Sequence, residues 1–476
     1  MRDGKISLLK KINLDSRFKT LGANTVIFGI GNLFSKLILF FLMPLYTKYL
    51  LPSQYGMADL LNNGVELVMP FVTLCLYESV FRFSIDKEKS TAELILSNSI
   101  RVLIKTLSIT FVICFFAFLL LKNYSILLFL LMLVPYSFRQ LFAQFSRGLG
   151  FSKEFAISGI INAFSLGIFN IILIAIFKSG VSGYIFSISI AHLLSASYLF
   201  FKLKLYEYIH FDHHDPRLIK SMLKYSLPMI PNSISWWLVN ISTRYILVFF
   251  DGLSVAGIFS AISKLPSIIN MLSAVFQQAW QVSASKEIDK SESTIFFSKV
   301  FEFYYVIIML ACSFIITCMP IISKVILKGD FFNFWFYVPL LLVSAVLNCL
   351  SVYFGSIYTA AMNNKMIMIS TVTGACISII SSFLLIPFLG ILGAIITSNI
   401  SYIVIVLMRY FDTKKIIKLN INFKVFFLLL FSIYIQSIGY IFYKEAFFKW
   451  SAFISLVILV IYILTIPRFR SKLFGR

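Results

Sequence analysis

Charged and amide side chains lie at helical spacing inside long apolar stretches of this sequence. Asn32 and Lys36 are four residues apart in one such stretch, and Asp59, Asn63 and Glu66 follow at spacings of four and three in the next. Residues three or four apart share one face of a helix, so each stretch would form a helix with a polar face. Within a membrane, a charged side chain costs roughly 2.5 to 3.5 kcal/mol on insertion scales. Such residues therefore indicate a ligand, an ion pair or a water-filled cavity.

The second half of the sequence repeats this arrangement with a surplus of positive charge. Asn240 and Arg244 are four residues apart in one apolar stretch, and Lys264 and Gln277 lie in the next. Together with Lys36 these side chains form a net cationic set. Such a set suits an anionic group such as phosphate or diphosphate, because arginine and lysine make charge-assisted hydrogen bonds to it.

Two structural alternatives to a ligand stay open for these cations. Lys36 could form an ion pair with Glu66, which would satisfy both charges without any substrate. Arg244 lies nearer the outer end of its stretch, so its long side chain could reach the membrane interface instead.

The composition requires lipid as the solvent for most of the chain. The 476 residues are 59% hydrophobic and 13% charged, with a mean hydropathy of +0.90, which exceeds what the core of a soluble domain can bury. Apolar windows of about 20 residues recur, which is the length of a helix that crosses roughly 30 Å of hydrocarbon, whereas barrel strands need only about 10. We therefore predict an all-α polytopic membrane protein with about 14 transmembrane helices. The predicted spans are 24–45, 57–82, 96–121, 124–146, 156–177, 181–202, 225–250, 257–282, 297–326, 334–361, 366–388, 390–411, 424–443 and 447–467.

The formal charge of +22 is explained by membrane topology. Lysines and arginines, Arg409 among them, concentrate in alternate loops, which predicts that both termini are cytoplasmic and that nucleic acid is not a partner. The longest polar stretch contains His210, Asp212, His213 and His214, and we interpret it as a solvated cytoplasmic linker rather than a metal site. We predict no metal and no cofactor.

Short motifs recur about 200 residues apart. Tyr55-Gly56-Met57 and Ala256-Gly257-Ile258 are separated by 201 positions, and Gly183 and Gly393 by 210. Each shift spans six predicted helices, which indicates two parallel, pseudo-symmetric six-helix lobes, and in transporters the substrate path lies between such repeats. The predicted organisation is an N-terminal lobe at 1–203, a cytoplasmic linker at 204–221, a C-terminal lobe at 222–411, and two further helices with a basic cytoplasmic tail at 412–476.

Segments near the start of each half resemble a known family. The run Pro44-Leu45-Tyr46-Thr47-Lys48-Tyr49-Leu50-Leu51-Pro52-Ser53-Gln54-Tyr55-Gly56 resembles the first-loop signature of bacterial polysaccharide flippases. Tyr225-Ser226-Leu227-Pro228-Met229-Ile230-Pro231, with Arg244 and Lys264 after it, is similar to the central region of that family. These are the O-antigen and capsule repeat-unit flippases of the multidrug/oligosaccharidyl-lipid/polysaccharide (MOP) superfamily. The pattern of that family often has an acidic residue just before the arginine of the seventh predicted span. That arginine is Arg244 in this chain, and the residue before it is Thr243.

The resemblance implies a two-lobed fold like that of the multidrug (MATE) transporters of the superfamily, and a flippase rather than an enzyme. The implied substrate is an undecaprenyl-diphosphate-linked oligosaccharide, which crosses the bacterial cytoplasmic (inner) membrane for O-antigen, lipopolysaccharide or capsule-type polysaccharide biosynthesis. The implied partners are this lipid-linked oligosaccharide, membrane lipids, a polysaccharide polymerase and a chain-length regulator.

On this reading, alternating access exposes a central cationic cavity first to one side of the membrane and then to the other. The predicted cavity residues are Lys36, Arg244 and Lys264, which would bind the diphosphate, with Asn32, Asn240 and Gln277. Glu66 or Asp59, as carboxylates in an apolar setting, are candidates to couple a proton or sodium gradient to transport.

Three other functions are weighed against the flippase. A multidrug exporter of the same superfamily would favour carboxylates for cationic drugs, whereas this cavity set is basic. A membrane enzyme such as a glycan polymerase would need a large extracytoplasmic loop with catalytic groups, and the predicted outer loops are short. The sequence contains no Walker-type nucleotide-binding motif, so the energy for transport must come from a gradient or a partner. A non-transporting scaffold of the glycan assembly machinery stays open.

Overall fold

The described part of the protein is helical. The computed structural model describes residue 38 and residues 40–465, apart from 86, 211, 213, 289–292 and 362–364, and this part contains no β-strand. The α-helices are α1 Met43–Tyr49, α2 Pro52–Val72, α3 Leu76–Ser84, α4 Lys89–Leu121, α5 Ser125–Gly148, α6 Ser152–Asn170, α7 Gly180–Lys202, α8 Pro216–Ser226, α9 Met229–Ile262, α10 Ser267–Glu287, α11 Ser293–Ile326, α12 Val338–Ala360, α13 Lys365–Leu389, α14 Ile391–Thr413, α15 Phe423–Tyr443 and α16 Phe448–Thr465. A π-helical segment, Ile171–Ile176, extends α6, and short 3-10 helices cover Leu205–Tyr208, Gly329–Tyr337 and Lys444–Phe447.

The chain is a multi-pass membrane protein. Within the residues that the structure describes, ten helices are long and apolar enough to cross a membrane, or eleven if the bent pair α2 and α3 forms one span. The predicted count of about 14 and the cytoplasmic position of both termini stay predictions. Most of the first predicted span, 24–45, lies outside the described residues.

The second predicted span, 57–82, is not one straight helix. A bend of 60° separates α2 from α3, because Pro70 removes a backbone donor and its ring crowds the preceding turn. The chain leaves the helix at Leu74 and Cys75, which both adopt left-handed backbone angles near φ 50°. Such angles cost of order 1 to 3 kcal/mol each in a residue other than glycine, so packing must hold the bend in place.

The seventh and eighth predicted spans, 225–250 and 257–282, are also divided differently. Helix α9 continues to Ile262 across a kink at Gly252, where φ is 85°, an angle that glycine adopts without steric cost. The next break comes at Pro266, which precedes α10. Lys264 lies in this break, and its amide donates to the carbonyl of Ala261 (3.1 Å) in a tight turn.

The chain forms two compact units. The first contains Leu61–Ser233 with the described residues up to Leu42, and the second contains Met43–Leu60 with the chain from Ile234 onward. Residues 52–60 of α2 therefore belong to the second unit and the rest of α2 to the first. The lobe boundaries drawn from the sequence stay a prediction.

Each unit has its own core of packed spans. In the first, α7 packs against both α5 and α6. In the second, α12 is the most buried span, with 83% of its apolar window inside the unit. Helices α10, α11, α14 and α15 pack around it. The hydrophobic residues of α12 therefore meet protein on nearly all sides rather than lipid.

A network of polar side chains attaches the last two helices to α11. The Ser313 hydroxyl donates to Gln436 Oε1 (2.9 Å), Gln436 Nε2 donates to Ser455 Oγ (2.9 Å), and the Thr317 and Ser451 hydroxyls are 2.9 Å apart. Polar side chains of this kind join helices where lipid offers no competing hydrogen bonds. Helices α15 and α16 are thus integral to the second unit.

Arg409 lies near the end of α14, within the predicted span 390–411, and its side chain is buried. Its Nε donates to Ser370 Oγ (2.9 Å), Nη1 to the Ser351 carbonyl (2.7 Å) and Nη2 to Thr371 Oγ1 (3.0 Å). The planar guanidinium thereby bonds through all three nitrogens and links α12, α13 and α14. Arg409 is a structural arginine.

Candidate functional site

The site is built on two short segments that correspond in the sequence repeat, the start of α2 and the end of α9 after its kink at Gly252. Gly56 on α2 and Gly257 on α9 are 201 positions apart, and their backbones touch, since a Cβ on Gly56 would lie 3.0 Å from the amide nitrogen of Gly257. A Cβ on Gly56 would also overlap the carbonyl of Leu253, and one on Gly257 would overlap that of Pro52. Leu253 and Pro52 are again 201 positions apart. The start of α2 and the end of α9 therefore cross symmetrically at these two glycines, as small residues allow.

Beyond this crossing, polar residues occupy equivalent positions in the two repeats. Asp59 corresponds to Ser260 and Asn63 to Lys264, each pair at the same shift of 201. Asp59 lies three residues after Gly56 and thus on the same face of α2. Ser260 lies near the Asp59 carboxylate.

Asp59 pairs with two of the three predicted cations. Its carboxylate lies 3.5 Å from Arg244 Nη1 and 3.3 Å from Lys264 Nζ. The Asp59 side chain has no exposed surface, while Arg244 is 11% and Lys264 38% exposed. Because burial of an unpaired carboxylate is costly, these two ion pairs explain why Asp59 is tolerated there. The three side chains together carry a net charge of +1.

A hydroxyl and an aromatic ring hold α9 against α2 beside this cluster. Tyr245 donates through its hydroxyl to the carbonyl of Leu60 (2.8 Å), and the Trp237 ring packs on Tyr245 with centroids 5.2 Å apart. Trp237 is buried, whereas the adjacent Trp236 is 62% exposed. The segment that positions Arg244 is therefore fixed by contacts on both sides of it.

The other predicted site residues are placed as follows. Gln277 is buried on α10 beside Tyr304 in the second unit, and Glu66 is exposed on α2 in the first. Asn240 occupies α9 one turn before Arg244, and its side chain lies outside the described residues.

Asn32 and Lys36 also lie outside the described residues, so the ion pair between Lys36 and Glu66 stays a prediction.

Sequence reasoning missed the partnership of Asp59 with the cations. The sequence suggests Asp59 only as a candidate for ion coupling. It has Thr243 at the position where an acidic residue is expected beside Arg244. The structure supplies that carboxylate from α2 instead. The signal was present in the repeat, since the shift that aligns Gly56 with Gly257 also aligns Asp59 with Ser260.

The cluster can exchange one anion for another. Lys264 is its most exposed member, and it lies in a break where the backbone is not held by regular helical hydrogen bonds. An incoming phosphate would offer several acceptor oxygens to the same lysine and arginine. No group of three metal-ligating His, Cys, Asp or Glu side chains occurs among the described residues.

Comparisons with known proteins identify the fold and a family. A family model described as "Polysaccharide biosynthesis protein" matches residues 21–281. The solved structure of the lipid II flippase MurJ in an inward closed conformation is 15% identical and has a TM-score of 0.68, covering 94% of this chain and 99% of that one.

A multidrug resistance MATE family transporter of the MOP superfamily, inward-facing, is 13% identical with a TM-score of 0.63, over 82% and 95% of the two chains. No curated protein sequence matches significantly.

Proposed function

This chain belongs to the polysaccharide biosynthesis protein family, and from that premise we propose that it is a flippase. Its substrate would be an oligosaccharide repeat unit linked to undecaprenyl diphosphate, transferred across the bacterial cytoplasmic membrane for O-antigen, lipopolysaccharide or capsule-type polysaccharide. A fold shared with MurJ and a MATE transporter supports transport as the general activity.

The observation that carries the proposal is the cluster of Asp59, Arg244 and Lys264 inside apolar helices. Two cations held by one carboxylate are a binding site for a diphosphate, because the diphosphate brings more negative charge than Asp59 provides. Asp59 neutralises part of the positive charge of Arg244 and Lys264, which lowers the cost of placing the cluster within the membrane.

Substrate binding is then an exchange of partners. Lys264 can turn toward a diphosphate, because its side chain is partly exposed. Arg244 is nearly buried and stays with Asp59, since removing both partners would leave an uncompensated buried carboxylate, which costs about 3 to 5 kcal/mol. Release of the substrate restores the contact between Lys264 and Asp59.

The test is flipping of a polyprenyl-diphosphate oligosaccharide in proteoliposomes, read by whether a membrane-impermeant reagent can oxidise the sugar. We expect Lys264→Gln to slow flipping at least tenfold, because it loses a charge-assisted hydrogen bond to the diphosphate, which contributes about 1.5 to 3 kcal/mol. Arg244→Gln should also slow flipping, because it removes one of the two positive charges of the cluster and the buried partner of Asp59.

Lys224→Gln is the matched control, since Lys224 is an exposed lysine on α8. Full activity in both cluster variants would contradict the cationic site, and no flipping by the natural protein would favour the scaffold.

Ion coupling belongs to the same proposal. Asp59 or Glu66 would carry a proton or sodium ion, and flipping would then depend on an imposed gradient of that ion. An unchanged rate in the presence of either gradient would remove the coupling role. A polymerase and a chain-length regulator are proposed as partners, and co-purification from the native membrane would detect them.

A second candidate is a multidrug exporter, which the likeness to a MATE transporter supports. Such a protein binds organic cations, so it would use carboxylates rather than a net cationic cluster. Efflux of a cationic dye from cells that express the chain would support this candidate. A dye efflux that persists in Asp59→Asn would contradict it.

A further inference from the structure

Three helices of the first unit bring polar side chains together within membrane spans. Tyr136 and Arg139 lie on α5, Asn162 on α6, and His192 and Ser195 on α7. All three helices are apolar enough to cross a membrane. Ionisable residues in such helices indicate a functional site unless a partner accounts for them.

Arg139 is a partly exposed arginine with few partners among the described protein groups. Its Nε donates to Ser195 Oγ (3.1 Å), and Ser195 donates in turn to the carbonyl of Ser158 (2.8 Å). Among the residues that the structure describes, no carboxylate lies within 4.0 Å of Arg139, and its two Nη groups have no hydrogen-bond acceptor. The side chain is thus held through Nε, and its two Nη groups remain available to donate hydrogen bonds to a ligand.

Arg409 is an arginine with a structural role, and acceptors are present for the donors of its guanidinium. All three nitrogens of Arg409 are bonded to helices around it, whereas Arg139 is bonded through one. An arginine fork matches two oxygens of a carboxylate or phosphate in a bidentate pair. An oxyanion is the ligand that the open fork of Arg139 would match.

The groups around Arg139 suit a sugar. His192 Nδ1 is 2.9 Å from Asn162 Oδ1, so the neutral ring donates there and keeps Nε2 as an acceptor for a hydroxyl. The Tyr136 ring stacks on His192 with centroids 4.8 Å apart. Aromatic surface of this kind packs against the apolar face of a sugar ring. Glu66 is within electrostatic range of Tyr136, and it is not among the groups within 4.0 Å of Arg139.

We propose that Arg139, with Tyr136, Asn162 and His192, forms a binding site for an oxyanion on the substrate glycan. The oxyanion is the carboxylate of an acidic sugar or a phosphate attached to a sugar. This inference rests on the proposed flippase function and deepens it, because it assigns the glycan to a site on the first unit, whereas Arg244 and Lys264 of the second unit take the diphosphate. The chain is thereby a flippase for acidic repeat units.

The test compares three substrates that share the polyprenyl diphosphate and the glycan length. One carries only neutral hexoses, one carries a hexuronic acid, and one carries a phosphorylated hexose. We expect Arg139→Gln to slow flipping of one acidic substrate by roughly tenfold to a hundredfold relative to the neutral one, as the loss of a charge-assisted hydrogen bond predicts. The substrate that is affected identifies the oxyanion, and Arg139→Lys should restore part of the rate.

Equal effects of Arg139→Gln on all three substrates, or no effect, would overturn the inference. Failure of the natural protein to flip any of them would instead reject the proposed function. If Arg139→Gln does not assemble, the natural protein decides the question through competition. A soluble oligosaccharide that carries either a hexuronic acid or a phosphorylated hexose should inhibit flipping more strongly than the neutral counterpart. Equal inhibition by all three would overturn the proposal.

Discussion

Asp59→Asn should destabilise the protein by leaving two cations without their shared carboxylate. Arg244 is nearly buried, at 11% exposure, so the loss of its partner resembles the breaking of a buried ion pair, which costs about 3 to 5 kcal/mol. Lys264 is 38% exposed, and water screens its pair to the range of a surface salt bridge, about 1 kcal/mol or less. The cost is therefore dominated by Arg244.

Thermal denaturation of the purified protein in detergent measures this ranking. The midpoint should fall far more for Asp59→Asn and for Arg244→Met than for Lys264→Met. The double variant Asp59→Asn with Arg244→Met should be more stable than the sum of the single changes predicts, because no unpaired buried charge remains.

Lys224→Met on the exposed face of α8 should leave the midpoint unchanged. A loss in Lys264→Met as large as that in Arg244→Met, or strict additivity of Asp59→Asn and Arg244→Met, would refute the assignment of the energy to the buried pair.

Three further predictions concern helix packing. Gly257→Ala should lower both the flipping rate and the thermal midpoint, because the added Cβ would overlap the carbonyl of Pro52. Gly167→Ala should be tolerated, because the atom nearest to its added Cβ would be 3.9 Å away. Equal tolerance of the two changes would disprove the close crossing. Gln436→Leu should cost about 1 to 3 kcal/mol through the polar partners it leaves unsatisfied, and a neutral effect on the midpoint would mean that the network adds nothing. Arg409→Lys should lower the midpoint, since one ammonium cannot reach three acceptors on separate helices, and full stability of this variant would contradict its structural role.

The membrane class and the family resemblance follow from local information in the sequence. Apolar windows, the type of residue at each position and short motifs depend only on neighbours along the chain, so they predict spans without any knowledge of packing. The breaks were harder to predict. The sequence predicts one continuous span at 57–82, and whether the chain bends, as at Leu74 and Cys75, depends on neighbours that hold the strained angles.

By itself the sequence identified Asp59, Arg244 and Lys264 as polar residues that lipid cannot surround, because hydropathy and helical periodicity are local properties. Only the tertiary structure shows that they are paired. Asp59 contacts Arg244 and Lys264 because α2 and α9 cross at Gly56 and Gly257, which are 201 positions apart in the sequence. The same holds for the two arginines Arg409 and Arg139, which look alike in the sequence. Every guanidinium nitrogen of Arg409 has a hydrogen-bond acceptor, whereas one nitrogen of Arg139 has an acceptor. This difference depends on contacts between segments that are distant in the sequence.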